Sequence, residues 1–216
     1  MIARILAIAV GYLFGLFQTS YILGKMHGID IREKGSGNAG TTNALRTMGA
    51  KAGLIVLLGD ILKAVAAYLV GRFLISLLAP PLAPILGLYA GIGCILGHCF
   101  PFYMGFRGGK GIASIAGIVL VFSWKLFLIG IVVFIIIFLI THYVSLASLL
   151  ATFSFLVAAI VLGLMGRLPV PMALYPEMCV LIGVIVAIAW FQHRENIGRL
   201  LTKTERKTYL SKKNKS

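Results

Sequence analysis

An all-α protein that crosses the membrane repeatedly is the fold class this chain predicts, and three observations predict it. Sixty per cent of its 216 residues are hydrophobic and only 12% are charged, with a mean hydropathy of +1.00. A soluble domain carries about twice that share of charge. The apolar runs are too many for one buried core. The net charge is +14, and its Lys and Arg residues gather between alternate apolar runs, as cytoplasmic loops require.

Taken in order, the runs predict about seven spans, at 5–24, 52–78, 82–98, 111–123, 125–141, 144–166 and 170–191, all as helices. The first lacks a small-x-small cleavage site with a mature domain behind it, so it is a span and not a removable signal. The second carries Asp60 and Lys63 one helical turn apart. The fourth is short. Trp124 and Lys125 break the apolar run between Gly111 and Ile140 and divide it into two helices. The seventh begins among Pro169, Pro171 and Pro176.

Charge settles the count. Seven spans put fifteen cations on one side (Lys25, Arg32, Lys34, Arg46, Lys51, Arg107, Lys110, Arg194, Arg199, Lys203, Arg206, Lys207, Lys212, Lys213 and Lys215). The other side has only Arg4, Arg72, Lys125 and Arg167. That bias predicts an outside N-terminus and a cytoplasmic C-terminus. The organisation is then one integral membrane domain over 1–205, followed by a basic cytoplasmic tail at 206–216 that is solvated or bound to headgroups.

Three polar stretches share the cytoplasmic face. The first is Lys34-Gly35-Ser36-Gly37-Asn38-Ala39-Gly40-Thr41-Thr42-Asn43-Ala44-Leu45-Arg46. It contains G-x-G-x-x-G, but a membrane helix precedes it where a dinucleotide site needs a strand. The glycine logic still holds: without Cβ, a backbone approaches a ligand closely and aims its N–H groups at an anion. Ser36, Thr41 and Thr42 add hydroxyls, Asn38 and Asn43 add amides, and Arg46 adds a bidentate fork. The second stretch, Gly105 to Gly111, contains Gly108-Gly109-Lys110-Gly111. It is not a Walker A loop, because Gly111 stands where Ser or Thr is required. Its place at the start of a helix, with Lys110 beside it, suits a phosphate. The third, His193-Arg194-Glu195-Asn196-Ile197-Gly198-Arg199, puts His193 and Asn196 on one helix face if the seventh helix continues through it.

His98 and His193 are each possible general bases. Asp60 and Lys63 either pair to position the site or touch substrate. No metal or cofactor is expected: there is no H-x-x-x-H, Cys-rich or clustered-acid pattern. Cys94, Cys99 and Cys179 form no C-x-x-C pair. Nothing interleaves aromatic and basic residues on a soluble module, so nucleic acid is no partner.

Three motifs in this order resemble the bacterial membrane glycerol-3-phosphate acyltransferases that use acyl phosphate as donor. They are Ser36–Asn43 followed by Arg46, Gly97-His98-Cys99-Phe100-Pro101 through Gly108–Ala113, and His193–Leu200. Ser114 stands where threonine is common in that family. The resemblance implies acyl transfer to glycerol 3-phosphate, giving lysophosphatidic acid and inorganic phosphate as the first step of phospholipid synthesis. It implies the bacterial inner membrane as location, and the soluble enzyme that makes acyl phosphate as a candidate partner. On this reading Ser36, His193 and Asn196 serve the chemistry. Gly37, Asn38, Gly40, Thr41, Thr42, Asn43, Arg46, Asp60, Lys63, His98, Gly108, Gly109, Lys110 and Gly111 bind substrate. The base stays open between His193, His98 and the donor phosphate. The other functional class, an organophosphate transporter, would need a polar path through the outer half of the spans, where few polar groups lie.

Overall fold

The computed structural model describes residues 1–209, and within them regular structure is helical. The longer helices are α1 (Ile2–Gly15), α2 (Thr19–Met26), α3 (Thr41–Met48), α4 (Ala50–Leu69), α5 (Ala83–Cys99), α6 (Ile112–Phe122), α7 (Trp124–Thr141), α8 (Val144–Leu164), α9 (Tyr175–Gln192) and α10 (Arg194–Leu201). Six stretches are long and apolar enough to cross a membrane: 2–26, 50–78, 80–104, 124–141, 144–164 and 172–192. The expected fourth span is the exception. α6 has 11 residues and is about 16 Å long at 1.5 Å per residue, about half a bilayer core. It still carries the chain away from the end where it starts, and α7 carries it back. The break between them falls at Ser123, whose backbone is extended, one residue before Trp124.

Small residues set the centre of the bundle. Ala3, Ala7, Gly11 and Gly15 repeat every fourth residue on the buried face of α1. α5 packs along that face. A Cβ on Gly11 would stand 1.9 Å from the Ala90 carbonyl oxygen, and one on Gly93 would stand 2.1 Å from that of Ile8. Such close backbone approach is how helices gain packing energy in lipid, where the hydrophobic effect does not drive them together. Around α5 a core of Tyr68, Ile85, Leu88, Ile95, Ile118, Leu126, Met178, Ile182 and Ile185 ties α4, α6, α7 and α9 to it.

The two ends of the bundle differ. At one end Arg4 donates to both carboxylate oxygens of Glu177 at 2.6 and 2.8 Å, and the Tyr89 hydroxyl donates to Glu177 at 2.6 Å. That cluster knits α1, α5 and α9. At the other end the first span breaks at Leu16–Gln18. The buried Gln18 amide donates to the Gly15, Gly97 and His98 carbonyls at 3.1, 3.3 and 3.0 Å. This anchors the C-terminal end of α5, where His98 stands.

Candidate active site

The first glycine stretch is a braced loop. Gly35 has φ +62°, and a Cβ there would lie 2.2 Å from the Asn43 side-chain oxygen. Asn43 is buried and holds the loop shut. Its oxygen accepts from the Ser36 N–H at 2.8 Å, and its amide donates to the Ile31 and Lys34 carbonyls at 3.0 and 2.9 Å. These bonds occupy most of its hydrogen-bonding capacity, so Asn43 braces the loop while also lining the cavity described below. The Arg32 side chain ties this loop to the next through the Met104 carbonyl at 3.0 Å. Arg32 also hydrogen-bonds Asp30, and that interaction lowers the Asp30 carboxyl to about 2. α3 begins at Thr41 behind Gly40 with no side-chain cap. Its first N–H groups are therefore free for an anion, and the buried Thr41 hydroxyl has no protein partner.

The second stretch folds back over the end of α5. The Gly108 and Gly109 N–H groups donate to the Cys99 and His98 carbonyls, both at 3.1 Å. A Cβ on Gly109 would stand 2.1 Å from His98 Nε2 and 2.7 Å from the Ala39 carbonyl oxygen. Both loops and the histidine thus meet at this glycine. Below it, Lys63 Nζ donates to the Phe17 carbonyl at 2.7 Å and to His98 Nδ1 at 2.8 Å, and it lies 2.8 Å from Asp60 Oδ1. Since Nδ1 accepts, the neutral ring carries its proton on Nε2, under Gly109. Neither nitrogen of His98 is then a free base. It stands under the second loop and lines the cavity described below.

The third stretch supplies the opposite wall. His193 Nδ1 lies 2.7 Å from the Ala189 carbonyl. A carbonyl only accepts, so Nδ1 holds the proton and Nε2 offers a lone pair. Burial, with Lys110 nearby, lowers the His193 imidazole to about 4, so it is neutral at ordinary pH. Lys110 donates to the Asn196 side-chain oxygen, and the Asn196 amide donates to Glu205 at 2.7 Å. Burial, aided by the charge of Arg199, lowers the Lys110 ammonium to about 8. Gln192 donates to the Gly109 carbonyl at 3.2 Å. α6 and α10, like α3, start without a side-chain cap.

These walls enclose a cavity of about 1080 Å³. Every candidate residue from the sequence lines it except Lys63, which lies behind Asp60 and His98. Arg107 and Arg199, inside the polar stretches but not singled out there, line it too, as do Gln192, Glu205, Arg206 and Thr208, which lie outside those stretches. Beyond the cations the cavity turns apolar. It runs between α7, at Phe127, Gly130, Phe134 and Phe138, and α8, at Ser148, Ala151 and Phe155.

A family described as glycerol-3-phosphate acyltransferase matches residues 5–203. The chain belongs to that family. A glycerol-3-phosphate acyltransferase 2 of Bacillus cereus (strain ATCC 10987) is 40% identical over 216 residues, covering 100% of both chains. A glycerol-3-phosphate acyltransferase of Clostridioides difficile (strain 630) is 40% identical over 210 residues, covering 94% of each. Among solved structures, the fold is similar to PlsY (YgiH), an integral membrane glycerol 3-phosphate acyltransferase. Its glycerol 3-phosphate form superposes with a TM-score of 0.80 at 33% identity, over 95% of this chain and 96% of that one. Its lysophosphatidic acid form gives 0.79 at the same identity, over 95% of each. The family is therefore one of membrane acyltransferases, and the three motifs that suggested it all line one cavity here.

Proposed function

We propose that this chain transfers a fatty acyl group from acyl phosphate to glycerol 3-phosphate at the cytoplasmic face of the bacterial inner membrane, with its N-terminus outside and its C-terminus inside. The observation that carries the reading is the cavity's two-part character. One part gathers Arg46, Lys110 and three uncapped helix starts, and the other is an apolar channel between α7 and α8. Acyl phosphate has the same two parts, and glycerol 3-phosphate needs a second anion position beside the first.

The chemistry follows from the donor. A mixed anhydride is already activated. The glycerol hydroxyl attacks the acyl carbon, an ester C–O bond forms, the anhydride C–O bond breaks, and inorganic phosphate leaves. Arg46 and Lys110 hold phosphates, with the first-turn amides of α3 and the Ser36 and Thr41 hydroxyls assisting. Asn38 and Asn196 position the glycerol end. His193 Nε2 accepts a hydrogen bond from the attacking hydroxyl. A group with a pKa of about 4 orients and relays a proton better than it keeps one, and the departing phosphate, a stronger base than this imidazole, is the natural final acceptor. Holding two reactants in this geometry contributes on the order of 7–11 kcal/mol, and each donor aimed at the developing oxyanion about 3 kcal/mol more.

The test is turnover by the purified protein in lipid, supplied with palmitoyl phosphate and glycerol 3-phosphate. Phosphate and lysophosphatidic acid are followed together, with acyl-CoA as the control donor. Equal amounts of both products from acyl phosphate alone support the reading. Product only from acyl-CoA overturns the donor, and binding of glycerol 3-phosphate without turnover points to transport.

A further inference from the structure

The last described residues do not trail away from the protein. From Thr204 to Tyr209 the chain runs along the mouth of the cavity, past the end of the family match at residue 203. It is anchored at several points. The Thr208 N–H donates to the His142 carbonyl at 2.9 Å. The Tyr209 ring lies 4.8 Å from the His142 ring, and Lys207 Nζ lies 5.7 Å from the Tyr143 ring centroid. His142 is the left-handed residue that ends α7, at φ +60°. The Arg206 guanidinium donates to the Gly35 carbonyl at 3.3 Å. The segment therefore bridges α10, the α7–α8 turn and the first glycine loop.

Two side chains in it address residues that line the site. Glu205 accepts from Asn196 Nδ2 at 2.7 Å, from Ser145 Oγ at 2.9 Å and from Arg199 Nε at 2.7 Å. Burial raises its carboxyl, but the hydrogen bonds from Arg199, Asn196 and Ser145 outweigh that and leave it below the usual range. The Thr208 hydroxyl, in a buried residue, accepts from Arg46 Nη2.

We infer that Glu205 and Thr208 are positioning residues of the active site, Glu205 acting through Asn196 and Thr208 through Arg46. The inference rests on the acyltransferase reading and deepens it. A side-chain amide can face either way round. With Glu205 accepting from its nitrogen, Asn196 must turn its oxygen toward Lys110. One carboxylate thereby sets the direction of the Asn196–Lys110 contact. A glutamine at 205 would break this logic. If its oxygen accepts from Asn196, its NH2 meets the Arg199 donor. If its oxygen accepts from Arg199, Asn196 must flip and point its own NH2 at Lys110. Thr208 does the same work on Arg46, since a long cation with no partner samples many rotamers.

The experiment compares Glu205→Gln, Thr208→Val, Thr208→Ser and two truncations, one ending at Lys203 and one at Tyr209. Each protein is purified in lipid. KM and kcat are measured for both substrates, and glycerol 3-phosphate binding is measured separately by its thermal shift. Glu205→Gln and Thr208→Val should raise KM for glycerol 3-phosphate, and weaken its binding, by roughly tenfold, as expected when a hydrogen bond to a charged group is lost. Thr208→Ser should restore most of the Thr208→Val loss. The chain ending at Lys203 should show both defects, and the one ending at Tyr209 should match the parent. A purely structural role would lower the amount of folded protein and leave KM and binding alone, and that result overturns the inference. So does tighter binding after truncation at Lys203, which would make the segment an obstruction. If the parent binds glycerol 3-phosphate but turns over no acyl phosphate, the reaction assignment fails, and the binding arm still decides the role of the segment.

Discussion

Gly109→Ala presses directly on the contact where both glycine loops meet His98. The added methyl would stand 2.1 Å from His98 Nε2 and 2.7 Å from the Ala39 carbonyl oxygen. Ordinary contact begins near 3.4 Å, so something must yield by about 1.3 Å, the difference between 3.4 Å and 2.1 Å. The imidazole cannot swing away freely, because Lys63 holds its other nitrogen at 2.8 Å. Ala39 is backbone of the opposite loop. The loop carrying Lys110 is therefore what moves. Overpacking of this kind costs about 1–3 kcal/mol of stability. A displacement near 1 Å at the reacting groups costs about a hundredfold in rate, or about 2.7 kcal/mol in the barrier. The assay is kcat at saturating palmitoyl phosphate and glycerol 3-phosphate, on protein whose folded fraction is fixed by thermal unfolding. Gly183→Ala is the control. A Cβ at Gly183 meets nothing within 4 Å, and in mid-helix alanine should stabilise by roughly 0.5–1 kcal/mol. Parental kcat in Gly109→Ala would refute the idea that the three-way contact of loops and histidine sets the geometry.

The remaining predictions address charge, burial and chain length. Lys110 is charged below its pKa of about 8, so kcat/KM for glycerol 3-phosphate should fall as pH rises through that value, and Lys110→Arg should move that alkaline limb upward. His193, lowered to about 4, is neutral throughout, so any acid limb near pH 6 belongs to substrate phosphate. Such a limb should persist in His193→Gln, and its disappearance there would assign it to the imidazole. Lys63→Met strips Asp60 and His98 of a partner that they share in the interior. It should cost about 3–5 kcal/mol in thermal unfolding, with much of that recovered in the Asp60→Asn, Lys63→Met double variant. Gly130 faces the apolar channel, and a Cβ there would find only the Ala151 carbonyl, at 3.9 Å. Gly130→Leu should therefore fold and shorten the preferred acyl phosphate. At about 0.8 kcal/mol per buried methylene, the loss of four methylenes would cost about 3 kcal/mol in kcat/KM, and an unchanged chain-length profile would place the chain elsewhere.

The sequence displayed some of this and hid the rest for physical reasons. Apolar runs and lopsided cations carried the helical spans, because lipid leaves few other solutions. α6 was visible as a short run, but whether 11 residues cross a bilayer depends on the helices that surround them. Gly35, Gly37 and Gly111 announced themselves, and each has positive φ. Asn43 was legible as a polar loop residue, but its bracing of the loop beside Gly35 was not, because an amide's partners depend on how the loop folds. Thr208 and Glu205 were hidden for the opposite reason. A Lys-rich terminus looks solvated, and nothing local marks a threonine that will meet a residue 162 positions away.

The arrangement of the two histidines bears on the kind of catalyst this is. His98 has Nδ1 filled by Lys63 and Nε2 covered by Gly109. His193 has one open nitrogen, on a ring whose burial next to Lys110 disfavours protonation. Asp60 is held at Lys63, and Glu205 is filled by three donors. A hydrolase acting on an unactivated ester would need a strong base poised near neutral pH, and His193, lowered to about 4, is not one. An enzyme given an acyl group that is already activated does not need it. What such an enzyme needs is cations fixed in place, helix starts aimed inward and an apolar slot for the chain, with water kept from the anhydride. Burial serves that end twice, since it excludes water and strengthens the remaining charges. The same burial that makes His193 a poor base lowers the Lys110 ammonium to about 8, so the grip of Lys110 is complete only below that pH and both groups hold their working states together near neutrality.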